Sequence, residues 1–204
     1  MAIDPVTLRG VHVELIPLAV AHAGDLATAA AEDRATYAFT EVPDGAEAMA
    51  SYITKLLRQQ EQGAALPFAQ RRLADGRLVG CTRFMELRWW RGRDSPDEVE
   101  IGGTWLAAGA QRTPLNTEAK LLMLTHAFDV WQAWRVALCT DARNQRSRRA
   151  IERIGARPDG VLRNHRPSHV AGEAGRPRDS ELFAVTDTDW PDVRRRLLEM
   201  LATG

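Results

Sequence analysis

The stretch Glu100-Ile-Gly-Gly-Thr-Trp-Leu106, followed after a short connection by Gln111-Arg-Thr-Pro-Leu-Asn-Thr-Glu-Ala-Lys120, constrains this chain more than any other. The first segment has the character of a strand and the second opens a long helix, so a strand delivers the chain to a helix N-terminus. Such a terminus carries unpaired backbone N–H groups and a partial positive charge, which together hold a pyrophosphate with little help from side chains. The bland alternative is a capped helix start, with Asn116 or Thr117 as the cap and Glu118 favoured by the dipole.

The elements around this block follow from periodicity. Residues 8–18 alternate Val11, Val13 and Leu15 against His12 and Glu14, a strand stopped by Pro17. Helical spacing then covers 19–31 and, with Tyr52, Ile53, Leu56 and Leu57 apolar, 46–62, where Gly63 is a plausible stop. Residues 68–73 and 78–87 around Asp75-Gly76 form a hairpin signal, because Asp-Gly supplies the positive φ that tight turns need. After a polar, turn-rich stretch at 89–97 come a strand at 99–106, a helix at 117–133, a strand at 134–140 and a helix at 146–154 closed by Gly155. A strand and loop from Val161, a strand at 179–186 and a helix at 190–201 complete the chain. This order implies an α/β fold with a mixed sheet flanked by helices, in one domain spanning 1–204, rather than a doubly wound sheet.

Composition narrows the function classes. The chain's 27 basic and 27 acidic residues balance, so no overall field draws it to nucleic acid or to anionic membrane. No run approaches the eighteen or so apolar residues of a membrane span, and the N-terminus lacks a basic stretch followed by an apolar one, so a cytoplasmic location is expected. Cys81 and Cys139 form no CxxC pair and read as buried free thiols. His165 and His169 have a ligand-like spacing but no evident third partner, so no metal is expected. A Gly-x-Ser-x-Gly elbow, a Walker loop and a Rossmann fingerprint are all missing.

The ordered blocks Leu8 to Leu18, Glu100 to Lys120, Asp141-Ala-Arg-Asn-Gln-Arg-Ser-Arg-Arg-Ala-Ile-Glu-Arg-Ile-Gly-Ala156 and Arg178-Asp-Ser-Glu-Leu-Phe183 together resemble the GCN5-related N-acetyltransferase superfamily, in its RimJ/RimL-like group. The resemblance implies transfer of an acyl group, normally acetyl, from acetyl-CoA to an amine of a small molecule or a protein N-terminus. It implies that amides around Arg112, Thr113, Leu115, Asn116 and Thr117 face the pyrophosphate. Trp105 and Leu106 would pair with the pantetheine arm, which Asn144 would bond from the other side. The superfamily loop resembles Gln/Arg-x-x-Gly-x-Gly/Ala; this chain keeps Gln111 but has Pro114 and Asn116 in place of the small residues, and proline removes one donor.

Acyl transfer to an amine needs a neutral nucleophile, stabilisation of the thioester oxygen and a proton for the departing thiolate. The resemblance puts Glu100 at the base position, where a glutamate acts through water; the alternative is a solvated strand end. A bulge at Gly102-Gly103 would open the ladder for an oxyanion. Many members use a late tyrosine as acid, but Tyr37 and Tyr52 both stand far upstream. Ser147, three residues after Asn144 as in RimL-like members, is the candidate acid or simply a helix-surface serine. Arg148, with Arg143, Arg146 and Arg149, suits phosphate. Arg163 and His165 fall where the resemblance puts the far side of the acceptor cleft. Trp89-Trp90 belongs in that cleft, in the core or in a homodimer interface. The rival from another class is a non-catalytic acyl-CoA sensor with the same fold.

Overall fold

The computed structural model describes residues 3–203. Its strands are β1 (Leu8–Arg9), β2 (Val13–Pro17), β3 (Ala65–Arg72), β4 (Leu78–Arg88), β5 (Glu98–Leu106), β6 (Arg135–Asp141), β7 (Arg157–Pro167) and β8 (Pro177–Thr186). Its α-helices are α1 (Ala23–Ala30), α2 (Ala46–Glu61), α3 (Pro114–Thr125), α4 (Gln145–Arg153) and α5 (Trp190–Ala202). The strands form one sheet in the order β1-β2-β3-β4-β5-β6-β8-β7. Its neighbours are antiparallel except β5 and β6, which run parallel. The mixed sheet expected from the element order is therefore present.

Side-chain alternation shows which helix covers which face. On β4, Arg83 donates to the Tyr52 hydroxyl of α2 at 3.0 Å, while its neighbour Thr82 meets Met123 of α3. Successive strand residues point to opposite faces, so α2 and α3 lie on opposite sides of the sheet. The α2 face buries Met49, Tyr52, Ile53 and Leu56, one helical stripe. On the α3 face Phe84 packs against Trp131 with ring centroids 4.7 Å apart. Burying a large apolar side chain of this kind stabilises the fold by roughly 1.5 to 3 kcal/mol.

Three local expectations are corrected. The strand at 8–18 is two short strands paired Leu8↔Leu15 and Arg9↔Glu14, because the chain reverses at Gly10–His12 and leaves Val11 79% exposed. The carboxylate of Glu118, buried in α3, accepts from the amides of Val11, His12 and Val13 at 2.7 to 2.8 Å and pins that reversal. The β3–β4 connection is longer than a two-residue turn, and only its Gly76, at φ 72°, is left-handed. Finally, α3 begins at Pro114 rather than Thr117, with Thr113 as the cap: its hydroxyl accepts from Leu115 N.

Candidate functional site

The site begins where two parallel strands part. β5 and β6 pair only at Glu98↔Arg135, Val99↔Val136 and Glu100↔Ala137, although β5 continues to Leu106 and β6 to Asp141. Beyond Glu100 the strands diverge and leave an open slot in the sheet. A register shift in the β4–β5 ladder lies opposite Gly103, which takes φ 58°. A side chain there would collide with the guanidinium of Arg83, so a bulge of this shape with Arg83 laid against it requires glycine.

Backbone direction decides which groups border the slot. Ala107 N donates to Val79 O across the β4 side, so the adjacent Leu106 directs its N–H and C=O to the other side, toward the slot. The Leu106 carbonyl already accepts from the Tyr37 hydroxyl at 3.1 Å and Gln111 Nε2 at 2.8 Å. Trp105 faces the opposite way: its carbonyl accepts from Gln70 Nε2, on the β3 side of the sheet. Of the two residues expected beside a pantetheine arm, Leu106 offers the slot a backbone amide and Trp105 does not.

The slot leads to the N-terminus of α3. Arg112 is left-handed at φ 60°, and neither its amide nor that of Thr113 has a backbone partner among the described residues. Pro114 occupies the first helical position, where an amide has no intrahelical acceptor in any case, so the proline costs the helix nothing. The Leu115 amide is held only by the long Thr113 bond of 3.4 Å. The Thr117 amide belongs to the same set, because among the described residues it forms no bond to the carbonyl of the Thr113 cap, unlike the corresponding amides Met49 of α2 and Arg148 of α4. Arg112, Thr113, Leu115, Asn116 and Thr117 form the free turn, a donor set that fits an anion.

Across the slot, Asn144 Oδ1 caps α4 by accepting from Ser147 N at 3.1 Å, leaving its amide nitrogen uncommitted. Ser147 lies in the first turn of α4, half-buried. Arg148 turns back to the sheet and pairs with Glu181, donating to it at 3.1 Å. Arg146 spans the mouth instead, reaching Gln111 Oε1 at 3.3 Å and the Thr36 carbonyl at 3.2 Å.

At the closed end stands Glu100, 6% exposed, with both oxygens accepting from Arg166 of β7 at 2.8 Å. Each carboxylate oxygen has a second lone pair, so the group still has acceptor capacity. The Glu100 contact pushes the Arg166 pKa further up. His165 is close by, with Nδ1 3.9 Å from Cys139 Sγ. Burial, then the charge of Arg166, hold its pKa below the usual imidazole value, and burial raises the Cys139 thiol. Arg163, by contrast, is exposed on β7. The sequence reading missed Arg166, Arg83 and Tyr52 as parts of this end. For Arg83 the alternation Cys81, Arg83, Met85 along one strand was the available signal; Arg166 and Tyr52, on β7 and α2, carry none.

Tyr52 also lines a cleft of about 740 Å³ between the α1–α2 connection and the β7–β8 loop, with Tyr37, Val42, Pro43, Lys55 and His169 around it. Burial pushes the Tyr52 hydroxyl up to about 12, so it is a donor at neutral pH. Trp90 lies outside the cleft, 57% exposed and stacked on Trp134 with centroids 6.2 Å apart. Among the described residues no cluster of three or more His, Cys, Asp or Glu could hold a metal, and no helix is long and apolar enough to cross a membrane.

Comparison with known proteins agrees with this architecture. The family model described as an acetyltransferase (GNAT) domain matches residues 12–157. A GCN5-related N-acetyltransferase from Brucella melitensis superposes with a TM-score of 0.82 at 28% identity, covering 98% of this chain and 87% of that one. A proposed acetyltransferase from T. thermophilus gives 0.80 at 31% identity, covering 98% and 100%. Mycobacterium smegmatis RimJ, solved with CoA-disulfide, gives 0.78 at 22% identity over 96% and 95%, a likeness of fold. Comparison with curated protein sequences gives no match. A slot between diverging parallel strands that ends on a free helix N-terminus, and a family match over most of the chain, lead to one conclusion: the chain belongs to the GNAT acetyltransferase family.

Proposed function

We propose that the protein transfers an acyl group, acetyl in the first instance, from acyl-coenzyme A to a primary amine of a small molecule or a protein N-terminus. The observation that carries this reading is the slot, with the amides of Arg112, Thr113, Leu115, Asn116 and Thr117 at one end and the buried carboxylate of Glu100 at the other. The solved complex of RimJ with CoA-disulfide supports the choice of donor. Bound there, the donor supplies an activated thioester. The amides at the start of α3 hold its phosphates, the Leu106 amide and the Asn144 side chain border its arm, and Arg112 adds positive charge.

Glu100 takes the proton of the amine, through a water, on the lone pairs that Arg166 leaves free. Ser147 at the start of α4 is the group assigned to return a proton to the leaving thiolate. His165, held neutral at pH 7 by its surroundings, borders the amine side together with the cleft under Tyr52. The RimJ/RimL-like subgroup, a cytoplasmic location and a homodimer belong to the same proposal and carry no step of the chemistry.

One observation favours a second reading, a coenzyme-binding sensor without turnover: Arg166 engages both oxygens of Glu100. Release of free thiol from acetyl-coenzyme A, screened across primary amines, separates the two. Turnover that falls about 100-fold in Glu100→Gln and in Ser147→Ala, with donor affinity unchanged, is the expected result. Undiminished turnover in both variants removes the assigned roles, and donor binding without turnover on any amine promotes the sensor.

A further inference from the structure

Among the described residues Arg83 is a cation without an anion. It projects from the middle of β4 onto the α2 face of the sheet, half-buried, with its guanidinium against Gly103 of the β5 bulge. Nη1 donates to the Tyr52 hydroxyl at 3.0 Å, a neutral partner. Nε is buried with no acceptor, and Nη2 has none among the described residues. The carboxylates in the neighbourhood are committed elsewhere: Glu100 and Glu86 face Arg166, and Glu41 at the cleft wall lies 3.8 Å from Lys55. Arg34 lines the same cleft with its guanidinium bonded to the neutral carbonyls of Val42 and Pro43, so with Lys55 set against Glu41 the local field is positive. A half-desolvated guanidinium with unsatisfied donors is costly unless a partner arrives.

We propose that the partner is a carboxylate brought by one of the two substrates, and that Arg83 is the residue that reads it. The position allows two sources. Arg83 lies against Gly103, which borders the slot, so an acyl chain ending in a carboxylate would meet it from the donor side. It also bonds the hydroxyl of Tyr52, a residue that lines the cleft, so an amine carrying a carboxylate, as an amino acid does, would meet it from the acceptor side. The apolar wall of Tyr37, Val42 and Pro43 suits an amino acid with an apolar side chain. This inference rests on the acyl-transfer reading and gives it a substrate class.

The test reads binding before turnover. Calorimetry on the wild type, Arg83→Gln and Arg83→Lys compares succinyl-coenzyme A with acetyl-coenzyme A in one arm. The other arm, with coenzyme A saturating, compares N-acetylphenylalanine with N-acetylphenethylamine, which lacks the carboxylate. The expected result is a carboxylate preference of about 10- to 100-fold in one arm, lost in Arg83→Gln and partly kept in Arg83→Lys. The arm that shows it names the source. No preference in either arm, or a preference that survives in Arg83→Gln, overturns the proposal. Thermal unfolding of each variant verifies that it is folded. Failure of the acyl-transfer reading is a different result: neither acyl-coenzyme A binds at all, whatever the residue at position 83.

Discussion

Lys120 is the most exposed point of the physical account, although its side chain is buried. It sits on α3 and donates to Thr104 Oγ1 at 2.8 Å, and Thr104 is hydrogen-bonded in turn to Thr82 at 2.8 Å. Among the described residues no carboxylate pairs with it, and desolvation lowers its pKa to about 7. The unfolded chain binds this proton up to about pH 10.4, whereas the folded chain releases it near 7. Between those values the unfolded state holds more protons, so stability rises with pH. At about 1.36 kcal/mol per pKa unit, burial of Lys120 costs on the order of 5 kcal/mol at pH 7 relative to pH 10.5, as an upper bound. Lys120→Met keeps the volume, removes the ionisable group and leaves Thr104 its Thr82 partner. Subtracting about 1 kcal/mol for the lost hydrogen bond, the variant should be several kcal/mol more stable than wild type at pH 7. That advantage should shrink by about 1.4 kcal/mol for each unit of pH through 8, 9 and 10, and level off below 7. Urea unfolding at each pH measures it. Parallel stability curves for the two proteins would show that Lys120 is charged in the folded state and that its environment has been misjudged.

Other consequences are simpler to state. Glu118→Ala leaves three amides of the β1–β2 reversal without their acceptor and should cost about 3 to 5 kcal/mol in denaturant unfolding, with the N-terminal strands losing hydrogen-exchange protection first. Gly103→Ala places a side chain in a left-handed position against the Arg83 guanidinium; about 1 to 3 kcal/mol of destabilisation is expected, together with weakened binding of any carboxylate ligand. Thr113→Ala removes the α3 cap and should lower stability by about 1 kcal/mol, read from the thermal midpoint.

Much of this site was legible in the sequence because it depends on backbone geometry. The strand from Val99 to Leu106 and the following helix start were placed within a few residues, and the Gly102-Gly103 pair marked the bulge. The parting of β5 from β6 was not legible, since nothing in the residues of either strand states where a ladder stops. Side-chain partnerships across distant segments were also hidden. Glu118 reads as a dipole-favoured carboxylate near a helix start, yet it closes a turn more than a hundred residues away. Arg166 reads as a loop residue beside Pro167 until the antiparallel β7 and β8 bring it over Glu100. Lys120 shares a helical face with Leu124 and Ala127, both buried, so the spacing of three and four implies its burial. The same spacing says nothing of the missing anion around it.

The central claim is that the slot and the start of α3 hold an acyl-coenzyme A. Thermal unfolding with and without acetyl-coenzyme A tests it directly, because a ligand at a hundred times its dissociation constant stabilises the folded state by about 2.7 kcal/mol. For a chain of this size the midpoint should rise by roughly 5 to 10 °C. No rise at millimolar acetyl-coenzyme A, with other acyl-coenzyme A donors equally without effect, would contradict the account.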